Sequence, residues 1–94
     1  MDVTILQQAT EKLHDAFERS DLEIEARKIA QKLEEAHYNP GDLQPITDCM
    51  FSLLLAARSR GYTVPVVLDE LTRTAQRCLE KRWKKMPDGT YQAL

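Results

Sequence analysis

A nine-residue run near the middle of the chain places the strongest constraint on its fold. From 49 to 57 every residue except Ser52 is apolar. Asp42 precedes the run as a good helix N-cap, and Gly61 follows it as a helix stop. A helix that is apolar on all sides is normally buried on all sides. The sequence therefore predicts a central helix over 42–60, which a chain of 94 residues can surround only in part.

Three further segments show the 3.6-residue periodicity of amphipathic helices, and alternating β-branched runs are absent. The predicted helices cover about 4–19, 20–38 and 63–84. Capping boxes are expected at Thr4 and at Ser20, and the last residues, 86–94, are expected to form a short tail that contains a turn at Asp88-Gly89. The predicted apolar stripe of the second helix is Leu22, Ala26, Ile29, Leu33 and Ala36. That of the fourth is Val64, Val67, Leu68, Leu71, Ala75, Cys78 and Leu79.

The composition is that of one folded domain, because 43% of the residues are hydrophobic and 30% are charged. We predict an all-α, four-helix bundle-like domain over 1–94. A small helical domain buries more apolar area by association, so we expect a homo-oligomer, either a dimer or a tetramer. The face around Phe51, Leu54 and Leu55 is expected to lie between chains, near the symmetry axis.

The remaining composition indicates a soluble cytoplasmic protein. There is no apolar run of membrane-spanning length, and no basic stretch followed by an apolar one at the N-terminus. Cys49 and Cys78 lie in apolar helical patterns, which favours reduced thiols over a disulfide. His14 and His37 are isolated and are expected at the surface. The net charge of −2 does not indicate a membrane or nucleic-acid partner.

Asp48 is the most informative polar residue, because it lies one turn into the most apolar helix. Gln44, Asp48 and Ser52 are spaced four residues apart and form one narrow polar stripe. A carboxylate there is costly to bury unless it is paired, hydrogen-bonded or bound to a cation. Two interpretations remain open: an acid bonded to a neighbouring helix or exposed at the bundle end, and a metal ligand.

Glu34 and Glu35 end the second helix, just across the turn at 39–41 from Asp48. An antiparallel helix pair would bring one of them towards Asp48. Two or three carboxylates could then hold Mg²⁺, which prefers oxygen ligands. The alternative is a solvated acidic helix end.

The chain is basic around the end of the fourth helix. Arg77, Lys81, Arg82 and Trp83, followed by two more lysines, could grip phosphates and stack a base. The alternative is a helix C-terminus whose cations oppose the helix dipole, with Trp83 packed on the core.

From Pro40 onward the sequence resembles the short phage and prophage members of the MazG-like all-α nucleoside triphosphate pyrophosphatases. The resemblance covers a little over half the chain. The matching features, in order, are Pro40-Gly41-Asp42-Leu43, Asp48 at the head of an apolar helix, Ala56-Ala57-Arg58, Arg60-Gly61-Tyr62-Thr63, Lys81-Arg82-Trp83 and Pro87-Asp88-Gly89.

The resemblance implies Mg²⁺-dependent hydrolysis of a nucleoside triphosphate to a monophosphate and pyrophosphate. The family holds its metal with the motifs E-E-x-x-E and E-x-x-D. Asp48 matches the last position of the second motif, but Pro45 replaces its glutamate. Glu35 matches the last position of the first motif, while Gln31 and Lys32 replace the preceding acids. Two ligands of the pattern are therefore kept, and a lysine occupies a third position.

Two hypotheses follow from this partial match. The first is a divergent pyrophosphohydrolase with rearranged ligands drawn from Glu23, Glu25 or Glu34. The second is a non-catalytic helical oligomer, built on the same scaffold, that binds a protein or a nucleotide. Because the lost acids weaken any metal site, we predict weak or absent turnover of nucleoside triphosphates.

Overall fold

The computed structural model describes residues 2–94, and these form an all-α domain with one short two-stranded sheet. The helices are α1 (Thr4–Ala16), α2 (Leu22–Tyr38), α3 (Gln44–Ser59) and α4 (Val64–Glu80), and the strands are β1 (Trp83–Lys85) and β2 (Tyr91–Ala93). No helix in the described part of the chain combines the length and the apolar character needed to cross a membrane.

Helix α3 is the centre of the domain, as the apolar run predicts. Within residues 2–94 it is the one helix that contacts all three others, while α2 packs on α3 alone. Cys49, Ser52, Leu55 and Ala56 are buried along its inner side. Leu55 is therefore buried inside one chain, and its expected place between chains is wrong. Met50 on the other side is 57% exposed, so one chain does not surround this helix.

Helix α1 is shorter than the sequence predicts, and a turn separates it from α2. Helix α1 ends at Ala16 and not near Arg19, because Glu18 and Arg19 both have left-handed backbone conformations, with φ of 55° and 58°. The expected cap of α2 also moves by one residue. Asp21, and not Ser20, caps α2 by accepting a hydrogen bond from the Ile24 amide at 3.1 Å.

Gly61 ends α3 in the way its position predicts. Its φ is +92°, and its amide donates to the Arg58 carbonyl at 2.9 Å. The Tyr62 amide donates to the Ala57 carbonyl at 3.0 Å. These two bonds are those of a Schellman motif, which satisfies carbonyls left open at a helix end.

The C-terminal tail is a β-hairpin, which corrects the predicted helix over 63–84 and the predicted tail. Helix α4 ends at Glu80, and β1 pairs antiparallel with β2 so that Trp83 faces Ala93. Gly89, at φ +89°, allows the reversal of the chain, and the Asp88 carboxylate accepts from the Thr90 amide at 2.9 Å. The turn lies at Asp88-Gly89 as predicted, and an Asp-Gly pair between two short segments is also a hairpin signal.

The inner face of α2 is rotated from its predicted apolar stripe. On α2, Glu25 is buried, whereas Leu22, Ala26 and Leu33 are exposed. Glu25 can be buried because one of its carboxylate oxygens accepts a hydrogen bond from the Ser20 hydroxyl at 2.5 Å. Three of the five residues of the predicted buried stripe are thus exposed, while Ile29 and Ala36 are half-buried.

His14 lies inside the domain, which corrects its expected surface position. Thr10 and His14 are the buried residues of α1, and the Thr10 hydroxyl donates to the Leu6 carbonyl at 2.6 Å. His14 Nδ1 and Glu25 Oε1 are buried atoms with no hydrogen-bond partner among the described residues. Because polar side chains occupy so much of the interior, one chain has only a small apolar core.

Candidate functional site

A tight turn brings the end of α2 beside the start of α3. The Asp42 amide donates to the Asn39 carbonyl at 3.0 Å, and the Asp42 carboxylate accepts from the Gln44 amide at 3.0 Å. The two helices then run antiparallel, and the Cys49 thiol donates to the Ile29 carbonyl at 3.7 Å. This arrangement brings Glu35, one of the two predicted acids of α2, towards Asp48.

The side chains that meet there are three charged groups and one amide, and we call them the ammonium cluster: Lys32, Glu35, Gln44 and Asp48. Lys32 Nζ lies 3.3 Å from Glu35 Oε2 and 3.6 Å from Asp48 Oδ2. Gln44 Nε2 donates to the other oxygen, Asp48 Oδ1, at 2.9 Å. The side chains of Lys32 and Asp48 are 25% and 29% exposed, so both are partly shielded from water.

Lys32 is a permanent cation in this setting. The hydrogen bond to Glu35 and the charge of Glu35 raise the pKa of Lys32 above its ordinary value of 10.5, and Asp48 adds to the increase. The ammonium therefore stays charged throughout the neutral range. It joins one carboxylate of its own helix to one carboxylate of the next helix.

The structure brings together two of the three predicted metal ligands. Glu35 and Asp48 share Lys32, whereas Glu34 is exposed and lies about 100° further around α2. Across residues 2–94 no group of three or more histidine, cysteine or acidic side chains is arranged to hold a metal ion. The two carboxylates as placed do not suit Mg²⁺, because a divalent ion beside them would be repelled by the ammonium.

The basic end of α4 is only partly available for a ligand. Arg77 donates to Glu70 Oε1 at 2.9 Å, and the hydrogen bonds from Arg77 and Arg73 hold the pKa of Glu70 below its ordinary value. Trp83 donates its indole N–H to the Cys78 carbonyl at 3.0 Å. Lys81 and Arg82 are exposed and form no ion pair within the described chain.

One cross-helix ion pair was not predicted from the sequence. Arg58 Nε, at the end of α3, lies 2.6 Å from Glu11 Oε1 on α1. The hydrogen bond from Arg58 lowers the pKa of Glu11 below its ordinary value. The partners are 47 residues apart in sequence, so no local spacing could have indicated the contact.

The two cysteines that the sequence places in apolar helical patterns form no disulfide among the described residues. Cys49 is buried and Cys78 is half-buried, and both are free. Comparison with known proteins adds no relative, since no family model, no curated protein and no solved structure matches this chain. The resemblance to the MazG-like pyrophosphatases therefore rests on the residues quoted above.

Proposed function

We propose that this chain is a divergent, non-hydrolysing member of the all-α nucleoside triphosphate pyrophosphohydrolase fold, which works as a self-associating helical module. The observation that carries the proposal is the position of the Lys32 ammonium between Glu35 and Asp48. These are the two acids that match the metal-binding pattern of the family.

The physical reason lies in how phosphate chemistry is assisted. Metal ions polarise the phosphate and neutralise the charge that develops on it during the reaction. At this position the two carboxylates that would recruit the metal already share an internal lysine, which offsets one of their two negative charges. Gln44 also donates to one oxygen of Asp48. A lysine offers one fixed positive charge and does not activate water as a metal does.

Pyrophosphate release from a panel of nucleoside and deoxynucleoside triphosphates tests the proposal, with millimolar Mg²⁺ or Mn²⁺ present. We expect no turnover above background for the wild-type chain. Turnover of about 1 s⁻¹ or more, within the ordinary range of enzymes, would restore the enzyme hypothesis if it disappeared in Asp48→Ala. An unchanged rate in Asp48→Ala would instead identify a contaminating activity.

Nucleotide binding without hydrolysis is the second candidate function, and Lys81 and Arg82 favour it. They are exposed cations without an ion pair in the described chain, next to the partly exposed indole of Trp83. This combination suits a phosphate with an attached base. Nucleotides should then raise the melting temperature without Mg²⁺, and the rise should be lost in Arg82→Ala but kept in Lys12→Ala, which removes a cation from α1.

Self-association is proposed from the area that one chain leaves exposed. The chain exposes 7421 Å², about 1,900 Å² more than the roughly 5,500 Å² expected of a folded monomer of 10.8 kDa. Its radius of gyration is 15.3 Å, against about 12 Å for a compact domain of this length. The excess is larger than the about 800 Å² that each partner buries in a standard interface.

The occupant we propose for this area is a second copy of the chain, in the cytoplasm, where the two free thiols would stay reduced. Light scattering at micromolar concentration should report a multiple of the 10.8 kDa chain mass. A stable monomer at these concentrations would rule out this part of the proposal.

A further inference from the structure

One apolar face covers the outer side of α2 and α3, and we call it the hairpin face. It consists of Leu22, Ala26 and Leu33 of α2, Leu43 just before α3, and Ile46, Met50 and Leu53 of α3. All seven residues are exposed, and Leu33 and Met50 are each 57% exposed. The α3 members are spaced alternately three and four residues apart, which is the spacing of a helix-packing seam. Between Leu43 and Ala57 the only charged residue is Asp48.

The two stripes of the hairpin face lie on the same side of the helix pair. On each helix the stripe lies about 70–100° around the helix axis from the residues that contact the other helix, in the same rotational sense. Because the two helices run antiparallel, this rotation points both stripes to the same side of the pair. Asp48 is two residues from Met50, and two residues turn a helix by about 200°. The ammonium cluster therefore lies on the opposite side, and covering the hairpin face leaves that cluster open.

A second uncovered surface lies on the C-terminal half of α4. We call the segment that carries it, residues 69–94, the arm; it also includes the β-hairpin. Val64 at the start of α4 is buried, but every residue from 69 to 77 is exposed. Leu71, Ala75 and Leu79 continue the stripe that begins with Val64, and Leu79 is 87% exposed. Within residues 2–94, the face that packs on the domain thus extends beyond the domain and stays exposed there.

The two segments that carry these surfaces have net charges of opposite sign. The α2–α3 hairpin, residues 21–57, has seven acidic and three basic residues, whereas the arm has four acidic and six basic residues. Two hairpins brought face to face would be alike in charge, and so would two arms. The arm of one copy and the α2–α3 hairpin of another attract each other, which favours their pairing during association.

We propose that two copies of this chain form a closed dimer in which the arm of each copy lies on the hairpin face of the other. The inference rests on the proposed self-association and specifies its surfaces. A two-fold arrangement repeats the same arm-to-hairpin contact twice and leaves neither apolar surface open. Pairing hairpin with hairpin would leave both arms uncovered, and pairing arm with arm would leave both hairpin faces uncovered.

The experiment uses two full-length variants that each place a carboxylate on one surface, Met50→Glu on the hairpin face and Leu79→Glu on the arm. A buried unpaired charge is strongly unfavourable, so each variant alone should raise the dimer dissociation constant by about 100-fold or more. Ile24→Glu is the matched control, because Ile24 is 52% exposed and lies on the opposite side of α2 from Leu22 and Ala26.

Mixing the two variants provides the decisive measurement. In a mixed dimer one contact contains both glutamates, but the other joins a wild-type arm to a wild-type hairpin face. Light scattering of the equimolar mixture should therefore show a dimer at concentrations where each variant alone is monomeric. Ile24→Glu should remain a dimer throughout. The pair Leu53→Glu and Leu71→Glu should repeat the pattern, and the mixture itself shows that each variant is folded.

The other outcomes each exclude the arrangement. If only Met50→Glu dissociates, the hairpin faces pair with each other; if only Leu79→Glu dissociates, the arms do. Two monomeric variants whose mixture also stays monomeric would exclude reciprocal exchange. These results would leave the proposed self-association intact, whereas a monomeric wild-type chain would remove both proposals.

Discussion

Lys32 Nζ lies 3.6 Å from Asp48 Oδ2, so α2 and α3 are joined by a cation that belongs to the chain itself. The two residues are 16 positions apart, and the turn at 39–42 brings them together. The Lys32 ammonium thus lies where the family pattern would place a metal ion. Removing the lysine side chain tests whether the two acids can bind a metal without it.

Replacing Lys32 with glutamine should create a response to divalent cations that the wild-type chain lacks. The substitution leaves the Glu35 and Asp48 carboxylates close together without their cation, and oxygen ligands of this kind attract Mg²⁺. At ten times its dissociation constant, Mg²⁺ should then stabilise the variant by about 1.4 kcal/mol. Thermal unfolding with Mg²⁺ or EDTA measures this, and the response should vanish in Lys32→Gln combined with Asp48→Asn.

Asp48→Asn should lower the urea midpoint of unfolding in the presence of EDTA. The substitution removes the charge that attracts Lys32, and this loss does not depend on any metal. Asp69→Asn is the control, because Asp69 is exposed and has no ion pair within residues 2–94. An unchanged or higher midpoint for Asp48→Asn would favour a role for Asp48 as a metal ligand. Metal ligands lie among like charges, so removing one of these charges stabilises the metal-free protein.

Glycine at position 18 should stabilise the chain. Glu18 has φ of 55° in the turn between α1 and α2, and non-glycine residues pay about 1–2 kcal/mol for this conformation. Since glycine also loses more entropy on folding, we expect a net gain of about 0.5–1 kcal/mol for Glu18→Gly. Urea unfolding gives the value, and Glu23→Gly, which lies inside α2, should instead destabilise.

Gly61→Ala should destabilise by about 1–2 kcal/mol, because the Schellman motif requires φ of +92° at this position. A Cβ added at Gly61 meets no atom within 4 Å, so the cost comes from the backbone and not from a clash. Gly41→Ala is the matched control, because its added Cβ also meets nothing and its φ is not in the left-handed region. Equal effects of the two substitutions in urea unfolding would contradict this explanation of the α3 end.

The ion pair between Glu11 and Arg58 should make stability depend on pH in the acidic range. The folded-state pKa of Glu11 lies below the ordinary value of 4.5, so the folded state favours the charged carboxylate. Its contribution is present above the ordinary pKa and is lost as the pH falls through the lowered pKa. The melting temperature should therefore fall less steeply below pH 4.5 in Glu11→Gln than in the wild-type chain. Parallel acid profiles for the two proteins would contradict the role of this pair.

The sequence alone determined the four helices, the central place of α3 and the turn that precedes it. The apolar run at 49–57, the Asp42 position and Gly61 predict these features because capping and chain reversal depend on neighbouring residues. The hairpin at the C-terminus could also have been predicted from the Asp88-Gly89 pair. The boundary before it could not, because the helical periodicity of α4 continues in the sequence past Glu80, where the helix ends.

The tertiary structure decided which way the helices face. Periodicity shows that Leu22, Ala26 and Leu33 share one face of α2, but it does not say whether that face meets α3 or lies outside. Only packing settles this, because the hydrogen bond from Ser20 allows Glu25 to turn inward. The same rotation brings Lys32 to Asp48 and leaves the apolar residues uncovered, so the candidate site and the proposed interface arise from one packing choice.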